Sequence, residues 1–482
     1  GSDGTADSGK LVPGQAESYE KTENDDGTVT YTFKLRDGIK WSDGKDVTAG
    51  DFEYSWKRLV NPETAADYNY MLDGVVNANE IIAGEKDPDE LAAKALDDKT
   101  FEVTLVNDLS YFEELCAFPA MMPVREDMIE KAGDQWTFDT STYISNGAYK
   151  LKEWTHNSQI VVEKNENYYD VENLGPETIT FKLMDDQNAM LSGFNSGELD
   201  FIEDVPQAEI ANLIASGDMK IVDYIGTYYV CFQTQKAPFD DPRVRKAFSL
   251  AIDRTYIVNQ VTQSGQVEAG GFVPSGVYDA DGADGDDFRT VGGDYYKPTD
   301  ADYEANCDEA RQLLADAGYP NGEGFPVVEY LYNTSDAHKA VAEALQFMWE
   351  EELGVKVTLN NQEWAAFLQT RKDGDYSIAR NGWIADYNDP ISFLDMWMTG
   401  GGNNDAQYAN DDYDALIKQA KTTTDNAERM DLLHQAEDKL IGEDSVLAPL
   451  YFYTQKYMLA DGIEGMYYCP LGYFFFGYTH QA

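Results

Sequence analysis

Val327-Val328-Glu329-Tyr330-Leu331-Tyr332, Val355-Lys356-Val357-Thr358-Leu359 and Tyr376-Ser377-Ile378-Ala379-Arg380 are three short runs of mostly β-branched and aromatic residues, the composition of strands. Helical patterns separate them. Asp336 opens the first, Val341, Ala344, Leu345 and Met348 recur along one side, and Gly354 stops it; the second covers 363–371. The order β-α-β-α-β predicts parallel strands, because each helical crossover returns the chain to the same end of the sheet. The segment after Arg380 then leaves from the carboxyl edge, where open α/β sheets bind ligands.

That segment is Asn381-Gly382-Trp383-Ile384-Ala385-Asp386-Tyr387-Asn388-Asp389-Pro390. The pattern reads as a short strand ending near Arg380 and a loop that carries a Gly, a Trp and an Asp. Gly382 lets another backbone approach closely, and Trp383 offers a flat apolar wall with one polar edge. Out of water, Asp386 requires a cation, since a buried lone carboxylate costs several kcal/mol. By itself the segment fits a surface turn with a packed Trp; its place after a parallel strand makes it a candidate site.

The rest of the chain is mixed α/β. Val29-Thr30-Tyr31-Thr32-Phe33-Lys34-Leu35 alternates as a strand and turns at Asp37-Gly38, and Thr48 with Asp51 predicts a capped helix carrying Phe52, Trp56 and Leu59. A polar helix is expected near 88–97, and strands at 101–105, 148–151, 160–163 and 179–183. Asp241 and Pro242 start a helix with Val244, Ala247, Phe248, Ala251 and Ile252 on one face. Later come a helix with Leu432, Leu433, Ala436 and Leu440 inward, an apolar strand Val446-Leu447-Ala448-Pro449-Leu450-Tyr451-Phe452-Tyr453, and an aromatic tail at 473–478 that needs a partner surface.

At 482 residues the chain exceeds one ordinary core, and roughly 150 residues per domain implies two to four domains. A hydrophobic content of 43% supports globular packing, while 36 basic against 88 acidic residues give −52, a field that repels nucleic-acid phosphates and anionic lipid and excludes nucleic acid as a partner. Cys116, Cys231, Cys307 and Cys469 form no metal or redox spacing. No apolar run is long enough for a membrane-spanning helix.

Motifs for chemistry are weak. Gly4-Thr5-Ala6-Asp7-Ser8-Gly9-Lys10 has phosphate-loop spacing but lacks the Ser/Thr for magnesium, and Pro13 opposes the helix that should come after it. The run 279–287 fails the calcium-loop pattern, with Ala283 at the fifth position and Asp284 where the turn glycine belongs, and reads as an exposed acidic loop. No nucleophile elbow or zinc-protease motif is present, and four histidines leave little for general base work. No metal or cofactor is expected. The positive signal is aromatic: 8 Trp and 32 Tyr, which suit a wet cleft that accepts varied side chains.

Several stretches carry a family resemblance. They are Leu35-Arg36-Asp37-Gly38-Ile39-Lys40-Trp41-Ser42-Asp43-Gly44, Ile144-Ser145-Asn146-Gly147-Ala148-Tyr149-Lys150-Leu151, and Gln235-Lys236-Ala237-Pro238-Phe239 leading into Arg243. Leu331-Tyr332-Asn333-Thr334-Ser335-Asp336, Asn361-Gln362-Glu363-Trp364 and the segment ending at Pro390 complete them. From about Gly9 onward the chain resembles the oligopeptide-binding proteins of ABC importers, in the peptide/nickel group of extracytoplasmic solute-binding proteins; the run 331–389 points to the oligopeptide binders.

The resemblance implies a two-lobe, periplasmic-binding-protein-like α/β fold with an extra inserted α/β domain and a hinge-closing cleft. Its expected divisions are 1–135 for the inserted domain, 136–231 with 455–482 for the first lobe, and 232–454 for the second lobe. Asp386 matches the group that pairs with a peptide's α-ammonium, and Gly382 the strand that bonds its main chain. Trp383 and Trp364 match pocket walls; Arg380, Arg371 and His338 match groups that meet the carboxylate or its waters. Tyr68 or Tyr70 matches a ligand tyrosine of the inserted domain. Three departures stand out. The family's opening segment, with a strand bordering the ligand, has no counterpart here. Ile384 and Gly226 occupy positions of a cysteine pair found in some relatives, and no lysine matches one that meets longer peptides.

The implied function is capture of short peptides for a membrane permease by a monomeric, extracytoplasmic, lipid-anchored protein that is not an enzyme. Dipeptide, nickel-complex or glycopeptide binding on the same fold is the near alternative. A cleft hydrolase of peptides or glycans, or a receptor without transport, is the distant one.

Overall fold

The computed structural model describes residues 11–482; the phosphate-loop-like segment from Gly4 to Lys10 lies outside the described residues. Two compact units form: residues 1–186 with 460–469 and 473–482, and residues 187–459 with 470–472. This division falls near Asp186, where the sequence-based scheme places a boundary at 231; the three-part scheme itself remains a proposal.

In the first unit, β1 (Ala16–Glu23), β2 (Val29–Leu35), β3 (Ala93–Asp97) and β4 (Thr100–Leu105) form an antiparallel sheet in the order β1-β2-β4-β3. β1 escapes sequence reading because it is an edge strand whose side chains are mostly exposed, so no apolar alternation marks it. The helix expected over 88–97 is instead a single turn, Pro88–Glu90, with β3 after it. Ala93-Lys94-Ala95-Leu96 favours helix locally, but the tight connection to Thr100 lets it pair along β4, and tertiary pairing wins. Helix Ala49–Val60 begins at the Thr48–Asp51 capping box and buries Trp56, whose Nε1 donates to the Met121 carbonyl at 3.1 Å. β5 (Tyr149–Thr155), β6 (Gln159–Lys164) and β7 (Thr178–Lys182) make a second antiparallel sheet. The aromatic tail closes onto this unit: Tyr478 donates to Asp170 at 3.0 Å, and Phe476 packs edge-on to Phe181.

The second unit is built on a mixed sheet. After β8 (Phe201–Ile202) come β9 (Lys220–Phe232), β10 (Val267–Glu268), β11 (Val328–Asn333), β12 (Val357–Gln362), β13 (Ile378–Ile384) and β14 (Leu447–Leu459), with the path β10-β14-β9-β13-β11-β12. β11 runs parallel to both β12 and β13, as the β-α-β-α-β pattern requires, whereas β9 and β14 enter antiparallel. Helix Asp336–Leu353 starts at Ser335 and stops at Gly354 in the left-handed region; helix Trp364–Lys372 makes the second crossover. Asp241 caps helix Pro242–Leu250, and its face joins the core around Phe232, Phe248 and Trp349. The loop at 279–287 is not simply exposed. Asp279 is buried against His434 Nε2 at 2.8 Å, and Asp287 caps the next helical turn through Thr290 N–H. Among the described residues no acidic or His/Cys group clusters as a metal site.

Candidate functional site

The strand expected to end near Arg380 continues to Ile384, so Arg380, Gly382 and Trp383 are strand residues and only Asp386 lies in the loop. The cause is β9, thirteen residues long, whose antiparallel ladder carries β13 from Ile378↔Phe232 to Ile384↔Gly226. The sequence pattern reveals only the parallel partner. That partner stops early: β11 pairs with β13 only at Ile378 and Ala379. From Arg380 to Ile384 the edge of β13 away from β9 has no strand alongside it among the described residues. Side chains partly occupy it, Arg371 Nη1 donating to the Arg380 carbonyl at 3.3 Å and the Asn381 amide oxygen accepting the Gly382 N–H at 2.8 Å. An incomplete edge of this kind is a template for an added strand.

A cation and a carboxylate flank that edge. Arg380 is half-buried beside a cage of phenols: it touches Tyr228 and Tyr453, Tyr451 packs on both of those rings, and Tyr330 acts on its charge from a neighbouring strand. Its Nη2 donates to the Tyr453 hydroxyl at 3.2 Å, and its guanidinium lies 5.0 Å from the centre of the Tyr228 ring. Its buried Nε has no hydrogen-bond partner, and among the described residues it forms no ion pair. Arg371 differs: it is buried in an ion pair with Asp405 at 3.3 Å, and Asp405 also accepts from the Asn381 amide. Arg371 thus arrives neutralised; Arg380 does not.

Beside Arg380, His338 Nδ1 lies 3.3 Å from the Tyr228 hydroxyl, on the first turn of its helix. Burial first, and the charge of Arg380 second, push its imidazole well below the ordinary range. This depression sets the sign of the pH dependence. Above about pH 6.5 the ring is neutral in folded and unfolded chains alike; below it the unfolded chain takes up a proton that the folded one refuses, and stability falls. His338→Asn is therefore expected to flatten the loss of unfolding free energy between pH 7 and 5, by at most about 1.4 kcal/mol per pH unit, as urea titrations at each pH would measure.

At the other end, Asp386 is half-buried and its loop is pinned. Ala385 N–H donates to the Ile225 carbonyl, Asn388 bonds Tyr278 N–H and the Gly276 carbonyl, and Asp389 pairs with buried Arg429 at 2.6 and 2.8 Å. Trp383 Nε1 donates to the Ser392 carbonyl at 2.8 Å. Trp364 is 49% exposed at the start of its helix and stacks on Phe367. Tyr68 and Tyr70, in the first unit, are half-buried and stack on each other with ring centres 5.9 Å apart. Thus Asp386, Trp383, Gly382, Arg380, Arg371 and His338 sit on or next to β13, whereas Trp364 is placed by its stack on Phe367.

Residues 10–405 match the family described as bacterial extracellular solute-binding proteins, family 5. The chain belongs to that family. It is 39% identical to the periplasmic oligopeptide-binding protein OppA of Salmonella typhimurium over 95% of this chain and 82% of the relative. It is 36% identical to the dipeptide-binding protein DppE of Bacillus subtilis over 96% of this chain and 82% of the relative. The crystal structure of Haemophilus influenzae OppA in complex with the peptide RPPGFSPFR superposes with a TM-score of 0.90 at 32% identity, covering 99% and 91% of the two chains. The two-lobe α/β fold is that of these family 5 relatives.

Within this family 5 protein, two parts of the site escape sequence reading: the phenol cage and Ser392. Tyr451 and Tyr453 stand as alternate residues of the apolar strand, a pattern that places them on one face; nothing local marks Tyr228 or Ser392. The need for glycine at 382 is steric: a Cβ there would strike the Tyr453 hydroxyl, which is the partner of Arg380. Gly382→Ala is expected to displace Tyr453, lower stability by about 1–3 kcal/mol as overpacking does, and weaken ligand binding as well. Thermal denaturation and titration of the same variant would measure both. Gly226 and Ile384 face each other across the ladder, and the Ile384 side chain fills the space above Gly226.

Proposed function

We propose that this protein captures short oligopeptides by their main chain and termini and delivers them to an ABC-transporter permease. The observation that carries the proposal is the open stretch of β13 between a half-buried arginine with no ion pair among the described residues and a loop carboxylate. All peptides share an amide backbone, one ammonium and one carboxylate; a strand edge with a cation and an anion beside it answers each of the three. In this reading Asp386 takes the ammonium and the backbone around Gly382 adds the peptide as a strand. Trp383 and Trp364 wall side-chain pockets, and Tyr68 or Tyr70 is the proposed ligand tyrosine. Arg380, with neutral His338 beside it, takes the carboxylate. Arg371, already paired with Asp405, acts through water or on peptides of another length.

The names of the relatives support peptides over nickel complexes or glycopeptides. The family is one of solute-binding proteins, and we take the protein to bind without cleaving, as a lipid-anchored monomer outside the cytoplasm. Mass spectrometry of the small molecules released on denaturing freshly purified protein tests the substrate class. A mixture of short peptides with free termini is expected. A single non-peptide ligand would overturn the proposal, and cleavage of an added peptide would overturn the non-enzymatic part.

A further inference from the structure

We infer that Ser392 is a positioning residue that holds the Asp386 carboxylate and the Trp383 ring as one preorganised recognition unit. The inference rests on the reading of Asp386 as the ammonium anchor. Ser392 sits in the turn Ile391–Leu394 and is only 2% exposed, among the buried apolar residues Ile391, Phe393 and Leu394. A hydroxyl in such surroundings persists only when its hydrogen bonds repay its desolvation. Its bonds run to the two recognition residues. The Oγ accepts the Asp386 N–H at 2.8 Å and donates to Asp386 Oδ2 at 3.4 Å, while the Ser392 carbonyl accepts Trp383 Nε1 at 2.8 Å.

One hydroxyl can do both because it has one donor and two acceptor sites. Fixing Oδ2 and the backbone N–H of the same residue sets the direction in which the carboxylate faces. Ser392 is fixed in turn: its N–H donates to the Asp389 carbonyl at 3.1 Å, and Asp389 is locked by Arg429. The chain Arg429–Asp389–Ser392 therefore carries rigidity from a buried ion pair to the anchor. A carboxylate held this way loses little rotamer freedom when an ammonium arrives.

The test compares Ala-Ala-Ala with its N-acetyl form by titration calorimetry on the wild type, Ser392→Ala, Ser392→Thr and Asp386→Asn. The wild type should prefer the free amine, and Asp386→Asn should erase the preference. Ser392→Ala should reduce it several-fold, up to the roughly ten-fold worth of one hydrogen bond to a charged group. Ser392→Thr, which keeps the hydroxyl, should restore most of the preference. If Ser392→Ala does not fold, Ser392→Cys, with similar volume and a weaker hydrogen bond, should show the same loss. An unchanged free-to-acetyl ratio in Ser392→Ala or Ser392→Cys, whatever happens to overall affinity or melting temperature, would overturn the positioning role. Absence of any preference in the wild type would overturn the Asp386 reading instead, and the inference with it.

Discussion

Asp386→Ala is expected to abolish measurable binding of tripeptides to pentapeptides while leaving the melting temperature of the ligand-free protein nearly unchanged. The two halves have separate causes. The loop that carries Asp386 is held by Asn388, by the Asp389–Arg429 pair and by main-chain bonds, none of which uses the Asp386 side chain. Its carboxylate makes a long bond to Ser392, at 3.4 Å. A peptide ammonium placed there, however, would be a largely desolvated cation whose counter-charge the substitution removes. Truncating one member of such a pair costs roughly 2–5 kcal/mol, or about 30- to several-thousand-fold in affinity. Calorimetric titration alongside thermal denaturation reads both halves; a large fall in melting temperature with intact binding would reverse the assignment.

Arg380→Met is expected to have the opposite balance from an ordinary core substitution. Arg380 carries charge into a cage of phenols, with an unbonded Nε and no ion pair among the described residues. Burial acts against that charge; the phenols raise its pKa only through the negative charge they would carry at high pH, so at pH 7 their neutral hydroxyls offset a desolvation cost of several kcal/mol only in part. Methionine fills much of the same space without that penalty. The ligand-free variant should therefore melt at the same temperature or higher, while affinity for short peptides with a free carboxylate falls by about 2–5 kcal/mol. The loss should be much smaller for the same peptides carrying a C-terminal amide. A destabilised variant that still binds free-acid peptides normally would mark Arg380 as a structural residue. Stability given up at a binding site in this way is a known trade.

The parallel core of the second unit is legible in the sequence because its signals are local: strand composition, a capped amphipathic helix, and glycine at the end of it. Asp386 is legible for the same reason, as a carboxylate just beyond a strand of that sheet. The end of β13 is not, since a strand contributed by residues 220–232 extends it, and no local pattern reports a partner about 150 residues away in the chain. The same holds for the phenol cage: Tyr228, Tyr330, Tyr451 and Tyr453 come from three strands whose side-by-side order only the fold determines. β3 shows the reverse failure, where a helix-favouring segment is captured by a neighbouring strand. Arg371 and Arg380 look alike in sequence, and only Asp405, brought alongside by the fold, tells them apart.

The central claim is that the protein recognises a peptide by its two termini across the open edge of β13. One tripeptide prepared in four forms, with free termini, N-acetylated, C-amidated and doubly blocked, tests it most directly by titration against the wild-type protein. Each single block is predicted to cost at least ten-fold in affinity, and the double block to cost about the product of the two. Equal affinity for all four forms would contradict it.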